Sequence, residues 1–262
     1  MHRSPFGLLR GRNAIVAGST NLSLRALFVF GLFCLPLGAH AQLTPDWTQQ
    51  YGGQCTDWVR GVGTDSGGNM YAFGETRVGD FNGVSPVGSS DFYISKFDAP
   101  GTEQWTVVQG STTSDSISGR MAVDGAGNCY VAGETWGSVY DTKGAGLADG
   151  WFGKYDTAGS LVWGQQINSG GWDTPKNVSI DNAGNLYLVG YTNGSFDGEN
   201  AGGVDAFVRK YDSDGNLLWG TQFGSDKTDR GYDVVANDAG ECPLVEAWRF
   251  NCRQLNLTTG LS

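Results

Sequence analysis

The chain repeats itself, and the length of the repeat limits its fold more than any other feature. Trp47, Trp105, Trp163 and Trp219 are spaced 58, 58 and 56 residues apart. Asp57, Asp115, Asp173 and Asp229 follow at the same spacings, and Asp65, Asp124, Asp181 and Asp238 at 59, 57 and 57. Three copies read Gly-Asn-x-Tyr-x-x-Gly-x-Thr, from Gly68 to Thr76, Gly127 to Thr135 and Gly184 to Thr192. Each copy closes with Asp, four residues, then Lys-aromatic-Asp: Asp91 to Asp98, Asp149 to Asp156 and Asp205 to Asp212. A turn of the form Asp-x-x-Gly then leads to the next Trp.

Within a copy the periodicity is two. Phe207, Arg209 and Tyr211 alternate with Ala206, Val208 and Lys210, the pattern of a strand rich in aromatic and branched residues. The segments Asp65 to Asn69, Asp124 to Asn128 and Asp181 to Asn185 are tight-turn chemistry, with Asp capping backbone N–H groups and Gly free to take positive φ. Each unit therefore holds four strands and two hairpins, since strands joined by tight turns pair. The longest connector, at 77–90, 136–148 and 193–204, is expected to step from one sheet to the next. After Ala41 no apolar spacing of three and four is sustained, so no helix is expected. The 42 Gly and 7 Pro make 49 of 262 residues. That lies below the roughly 25–30% that signals disorder, and fits dense ordered turns.

Four-stranded units of this length exceed the ~20–30 residues of a solenoid coil and fall short of the ~100 of an immunoglobulin domain. They fit the blade of a β-propeller. The combined motif, running from Trp through Asp-x-x-Gly-Asn-x-Tyr-x-x-Gly-x-Thr to Asp-x-Phe-x-x-Lys-Tyr-Asp, resembles the bacterial SBBP, or seven-bladed β-propeller, repeat. The resemblance covers about Trp47 to Trp219. It implies a propeller fold and an exported or cell-surface location, and it implies no single activity. The expected fold is all-β, with units at about 47–104, 105–162 and 163–218 and a partial fourth at 219–240. At Glu241 the pattern stops abruptly, so residues 241–262 read as a divergent tail of the kind a truncation or frameshift produces. Three units and a fraction fall short of the roughly four to eight blades of a closed ring. An incomplete ring exposes strand edges, and self-association is expected.

Residues 1–41 read as a signal peptide. Arg3, Arg10, Arg12 and Arg25 precede an apolar run from Ala26 to Leu37, and Ala39-His40-Ala41 offers small residues to a peptidase. The run is too short to span a bilayer. Cleavage would leave a chain with all 27 acidic residues and 13 of the 17 basic ones. Its acidic surface disfavours nucleic acid and anionic lipid as partners. Both histidines, His2 and His40, precede Gln42, so Ser-His-Asp and Cys-His nucleophile pairs and His-ligated metals are excluded from the cleaved chain. Cys55, Cys129, Cys242 and Cys252 show no C-x-x-C spacing. Cys129 occupies the place of Met70 and Leu186 in sister copies and reads as a core residue.

The remaining candidates sort by whether they are repeated. Asp212, Asp214 and Asn216 present three oxygen ligands spaced by two, a weak calcium loop lacking the distal Glu of an EF-hand. Its sister turns at 98–102 and 156–160 lack the middle carboxylate, which favours a structural turn. Apart from calcium no cofactor is expected. Lys96, Lys154 and Lys210 recur at one position and are expected to pair with a repeated Asp, from a neighbouring unit. Glu75 and Glu134 share a position that Tyr191 fills in the third copy; paired carboxylates serve glycoside hydrolysis, but repetition explains these without chemistry. Trp136 and Trp172 lie in loops, outside the repeat, where an aromatic ring stacks on a sugar. The expectation is a noncatalytic extracellular or cell-surface scaffold that binds protein or glycan. The alternative is a propeller fragment of an extracellular carbohydrate-active enzyme, a hydrolase or lyase.

Overall fold

The computed structural model describes residues 14–17, 47–53, 56–77, 79–140, 147–237 and 244–248. Most of the proposed signal peptide lies outside them, as do Cys55, Cys242, Cys252 and most of the tail. Every regular element among the described residues is a strand. Strands β1 (Ala14–Ala17) and β2 (Trp47–Gln50) pair antiparallel.

The first full sheet is ordered β3 (Asp57–Thr64), β4 (Met70–Arg77), β5 (Ser90–Phe97), β6 (Glu103–Gln109). The third repeats it as β12 (Asp173–Ile180), β13 (Leu186–Thr192), β14 (Asp205–Tyr211), β15 (Leu217–Phe223). In the second sheet, β9 (Cys129–Thr135), β10 (Asp149–Tyr155) and β11 (Leu161–Ile167) follow a first strand broken into β7 (Asp115–Ser116) and β8 (Met121–Val123). A fourth sheet begins with β16 (Arg230–Val235) paired to β17 (Leu244–Trp248). Five residues of the divergent tail thus take the place of a second strand. The architecture is all-β, built from propeller-type sheets, and no sheet among the described residues closes on itself.

Both hairpins form as expected, but the step between sheets does not fall where the sequence placed it. The long connector after β4 returns within the same sheet, because β4 and β5 pair along their whole length from Met70↔Phe97 to Arg77↔Ser90. The short link after each Trp strand makes the crossing instead. A long loop need not travel when it packs on its own sheet. Phe81 in the first of these loops is fully buried, within 4.2 Å of Tyr93 in a stacked pair. Each sheet therefore runs from an Asp strand to the following Trp strand, one strand out of phase with the sequence unit.

The two middle strands of each sheet are buried on both faces. Alternate residues go to different interfaces, as a period of two requires. In the second sheet, Val131 and Trp151 pack with Phe73 and Phe92 of the first, while Ala132 and Phe152 pack with Leu188 and Phe207 of the third. Cys129 is fully buried in the former cluster, and burial raises its thiol pKa to about 12. The Asp strands of successive sheets lie side by side, β3 by β8, β8 by β12 and β12 by β16. The Trp strands form the opposite edges.

Repeated side chains clasp neighbouring sheets together. Trp105 Nε1 donates to Thr157 O at 3.0 Å, and Lys96 Nζ donates to the same carbonyl at 3.3 Å. One unit on, Trp163 Nε1 and Lys154 Nζ donate to Ser213 O at 3.0 and 3.4 Å. Each acceptor lies in the Asp-x-x-Gly turn of the next sheet. The turn glycines Gly159 and Gly215 have positive φ, and a Cβ there would meet the Trp105 or Trp163 ring at about 3.0 Å. The expected lysine–aspartate pair exists at Lys210 and Asp181, 3.5 Å apart, but within one sheet. Lys96, Lys154 and Lys210 also lie over Tyr71, Tyr130 and Tyr187, their cross-strand neighbours, at 5.2, 5.3 and 4.8 Å.

Candidate functional site

Each full sheet has two distinct ends. At the turn end, Asp carboxylates are consumed by their own loops. Asp181 accepts from Ala183 N, Asn185 N and Asn185 Nδ2 at 3.0, 2.9 and 2.8 Å. Asp212 accepts from Asp214 N, Asn216 N and Asn216 Nδ2 at 3.0, 2.8 and 2.9 Å. Asp124, whose loop has no second carboxylate, makes the same three bonds. The Asp212 loop, proposed from sequence as a calcium candidate, is thus a copy of a turn held by nitrogen donors. Its Asn216 presents an N–H to the carboxylate and Asp214 contributes its backbone N–H. Among the described residues no group of three or more His, Cys, Asp or Glu is arranged to hold a metal ion.

At the connector end, the repeated residues form cross-strand rows: Asp57–Thr76–Asp91, Asp115–Thr135–Asp149 and Asp173–Thr192–Asp205. The first Asp of each row holds the crossing link. Gly53 N, Ser111 N and Ser169 N donate to Asp57, Asp115 and Asp173, and Ser225 N to Asp229 in the fourth unit. Burial pushes the carboxyl pKa of Asp91, Asp115 and Asp173 upward. These rows tie loops to sheets, and all of their residues but Asp57 are buried.

A cleft of about 400 Å³ opens on this end, spanning the second and third sheets and the start of the fourth. Its walls include both loop tryptophans singled out by sequence. Trp136 follows β9 and Trp172 precedes β12; they are 53% and 52% exposed. Hydrogen bonds fix their backbones: Trp136 N donates to Ser114 O at 3.1 Å and Trp172 N to Asn193 Oδ1 at 2.5 Å. Glu134, Thr174, Tyr191, Asn193 and Arg230 supply polar groups.

Glu134 is the one carboxylate among the described lining residues. Thr174 Oγ1 donates to it at 2.9 Å. Burial raises its pKa against the pull of Thr174 and Lys176, and the negative charge of Glu75 raises it further. Glu75 itself is buried outside the cleft, accepting from Ser90 Oγ at 2.7 Å and pairing with Arg77 at 3.4 Å. The two glutamates therefore do not line one site.

Three features of the cleft were not legible in the sequence. Tyr191 was noted only as the residue replacing a glutamate. Its ring lies 4.9 Å from Arg230 Cζ and 5.1 Å from Lys176 Nζ. Arg230 was not noted at all, although it stands next to the repeated Asp229. The third feature is a run of β-bulges: the register skips Arg60, Lys176 and Tyr232 at one place in three first strands. These three residues, with Arg120, line a cavity of about 550 Å³ between the Asp strands. Glu134 lines both this cavity and the cleft. Bulges re-aim side chains, and no short motif announces them.

Residues 162–197 match the SBBP family, a beta-propeller repeat, so the chain carries that repeat. The regulatory protein FlaEY of Caulobacter vibrioides is 26% identical over 203 residues, which are 68% of this chain and 21% of FlaEY. The chain thus spans about a fifth of that curated relative. Among solved structures, a protein of unknown function from Bacteroides caccae is 10% identical with a TM-score of 0.43. That similarity covers 80% of this chain and 64% of the other.

Proposed function

We propose that the chain is a noncatalytic extracellular or cell-surface scaffold whose connector-end cleft binds a glycan. The observation that carries this reading is the pair Trp136 and Trp172, each half-exposed on one cleft while thirteen aromatic side chains are almost wholly buried. An exposed indole face offers apolar area to the C–H face of a sugar, and nearby polar groups fix its orientation. Among its described lining residues the cleft holds one carboxylate, Glu134, whereas glycoside hydrolysis ordinarily requires two flanking the bond; this favours binding over the enzyme reading.

Glycan-array screening of the purified chain, with Trp172→Ala as control, tests the proposal. Binding lost in the variant supports it. Array binding unchanged by Trp172→Ala and Trp136→Ala would place recognition elsewhere. Export belongs to the same reading: cleavage between Ala41 and Gln42 would remove β1, the strand with which β2 pairs in a two-stranded sheet. N-terminal sequencing of the exported product should begin at Gln42, and a product beginning at Met1 would refute it.

A further inference from the structure

We infer that the ligand of the cleft is an anionic sugar chain whose acidic group is held by Arg230 beside Tyr191. The inference rests on the glycan reading above and names its chemical class. Arg230 is exposed and lies over the Tyr191 ring at 4.9 Å. It belongs to no ion pair among the described residues, whose four salt bridges use Arg77, Arg120, Arg209 and Lys210. Its neighbour Asp229 is turned to the crossing link, accepting from Ser225 N and Ser225 Oγ at 2.6 Å each. A guanidinium stacked on a ring keeps in-plane N–H donors for a planar or tetrahedral anion. In a chain with 27 acidic and 17 basic residues, an arginine on an aromatic cleft with no ion pair among the described residues is a directed charge.

A second observation points the same way. The bulge in β12 falls at Lys176, whose Nζ is the other cationic contact of the Tyr191 ring, at 5.1 Å. Lys176 also lines the cavity between the Asp strands, together with Arg60 and Arg120. Glu134, shared by the two spaces, offsets part of the Lys176 charge, and Arg120 lies 3.9 Å from Asp233. Arg230 is therefore the main anchor, with Lys176 and Arg60 extending the positive path. A sugar ring stacked on Trp136 or Trp172 would set its acidic substituent toward Arg230, and the following residues of the chain toward the cavity. Screening at physiological ionic strength reduces the repulsion from distant carboxylates beyond about 8 Å.

Three oligosaccharides of equal length test this by titration calorimetry at fixed salt: a polyuronate, its carboxyl-reduced neutral counterpart, and a sulfated neutral chain. The polyuronate should bind about tenfold more tightly than the neutral chain, the scale of one charge-assisted contact. Arg230→Gln should reduce that ratio to near one, and Arg230→Lys should restore part of it. Tight binding of the sulfated chain alone would keep the anion site and identify sulfate as its group. Equal or tighter binding of the neutral chain, or a ratio unmoved by Arg230→Gln, would overturn the inference and leave glycan binding intact. No binding in any arm would overturn both. Arg230 is exposed, and circular dichroism of the variants guards against misfolding.

Discussion

The turn end and the connector end of each sheet use the same residue types to opposite effect. At the turn end, Asp65, Asp181 and Asp212 sit on short loops. Burial opposes ionisation of Asp65 and Asp181, but hydrogen bonds from Asn69 and Asn185 and their neighbours prevail, and the carboxyls are held below their ordinary range. At Asp212 the Asn216 side chain is the main cause of the same downward shift. At the connector end, Asp91, Asp115 and Asp173 are buried in rows, and desolvation pushes them up. The tryptophans divide in the same way. Trp105 and Trp163 are locked onto the turn of the next sheet, whereas Trp136 and Trp172 stand open on the cleft. What repeats without change holds the sheets together. The unrepeated residues, set on that repeated frame, make the cleft.

The sharpest way to break this division is one substitution at both ends. Trp163→Ala removes ring contacts with Tyr130 and Phe152 and the bond to Ser213 O; it should cost about 3 kcal/mol of stability. Trp172→Ala should change stability by no more than about 0.5 kcal/mol while removing glycan binding. Urea melts of both variants decide. Comparable destabilisation would make Trp172 a packing residue and end the distinction.

A smaller effect is expected in pH dependence, where the two ends should differ in sign. The folded pKa of Asp181 is depressed, so its contribution is present above the unfolded value near 3.8 and is lost as pH falls through the folded value. The folded pKa of Asp173 is raised, so its contribution is full below 3.8 and is lost as pH rises through the folded value. The penalty of Asp181→Asn relative to the parent should therefore shrink between pH 6 and 3, and that of Asp173→Asn should grow. Parallel trends would show that the rows and turns do not differ as described.

The smallest expected effect is none. Because the Asp212 oxygens already accept N–H donors, chelating calcium should leave the melting temperature unchanged. A calcium ion bound only by the folded chain at a hundredfold excess would add about 2.7 kcal/mol, and a fall in melting temperature on chelation would return Asp212, Asp214 and Asn216 to the metal reading. Light scattering on the same samples tests the expected self-association: a stable monomer would overturn it.

The strands, both hairpins and the Asp turns were legible because each depends on short stretches of chain, and the core role of Cys129 because sister copies carry Met70 and Leu186 at its place. Trp136 and Trp172 were singled out as unrepeated loop aromatics, and both stand half-exposed in loops. Arg230 and the bulges were missed. An arginine flanking a repeated Asp looks like any surface charge, and a bulge is a property of two paired strands. The crossing link was misassigned because loop length does not reveal whether a loop folds back on its own sheet, as the one carrying Phe81 does.

The sequence by itself determined the period, the strand-forming alternation and the turn chemistry, since hydrogen bonds and side-chain periodicity act over short stretches of chain. Tertiary structure alone decided which sheet each Trp strand completes and which residues share the cleft. Trp136, Trp172 and Arg230 belong to three successive sheets. They meet because each sheet buries alternate faces against its neighbours, which fixes the distance and angle between loops that share no local pattern.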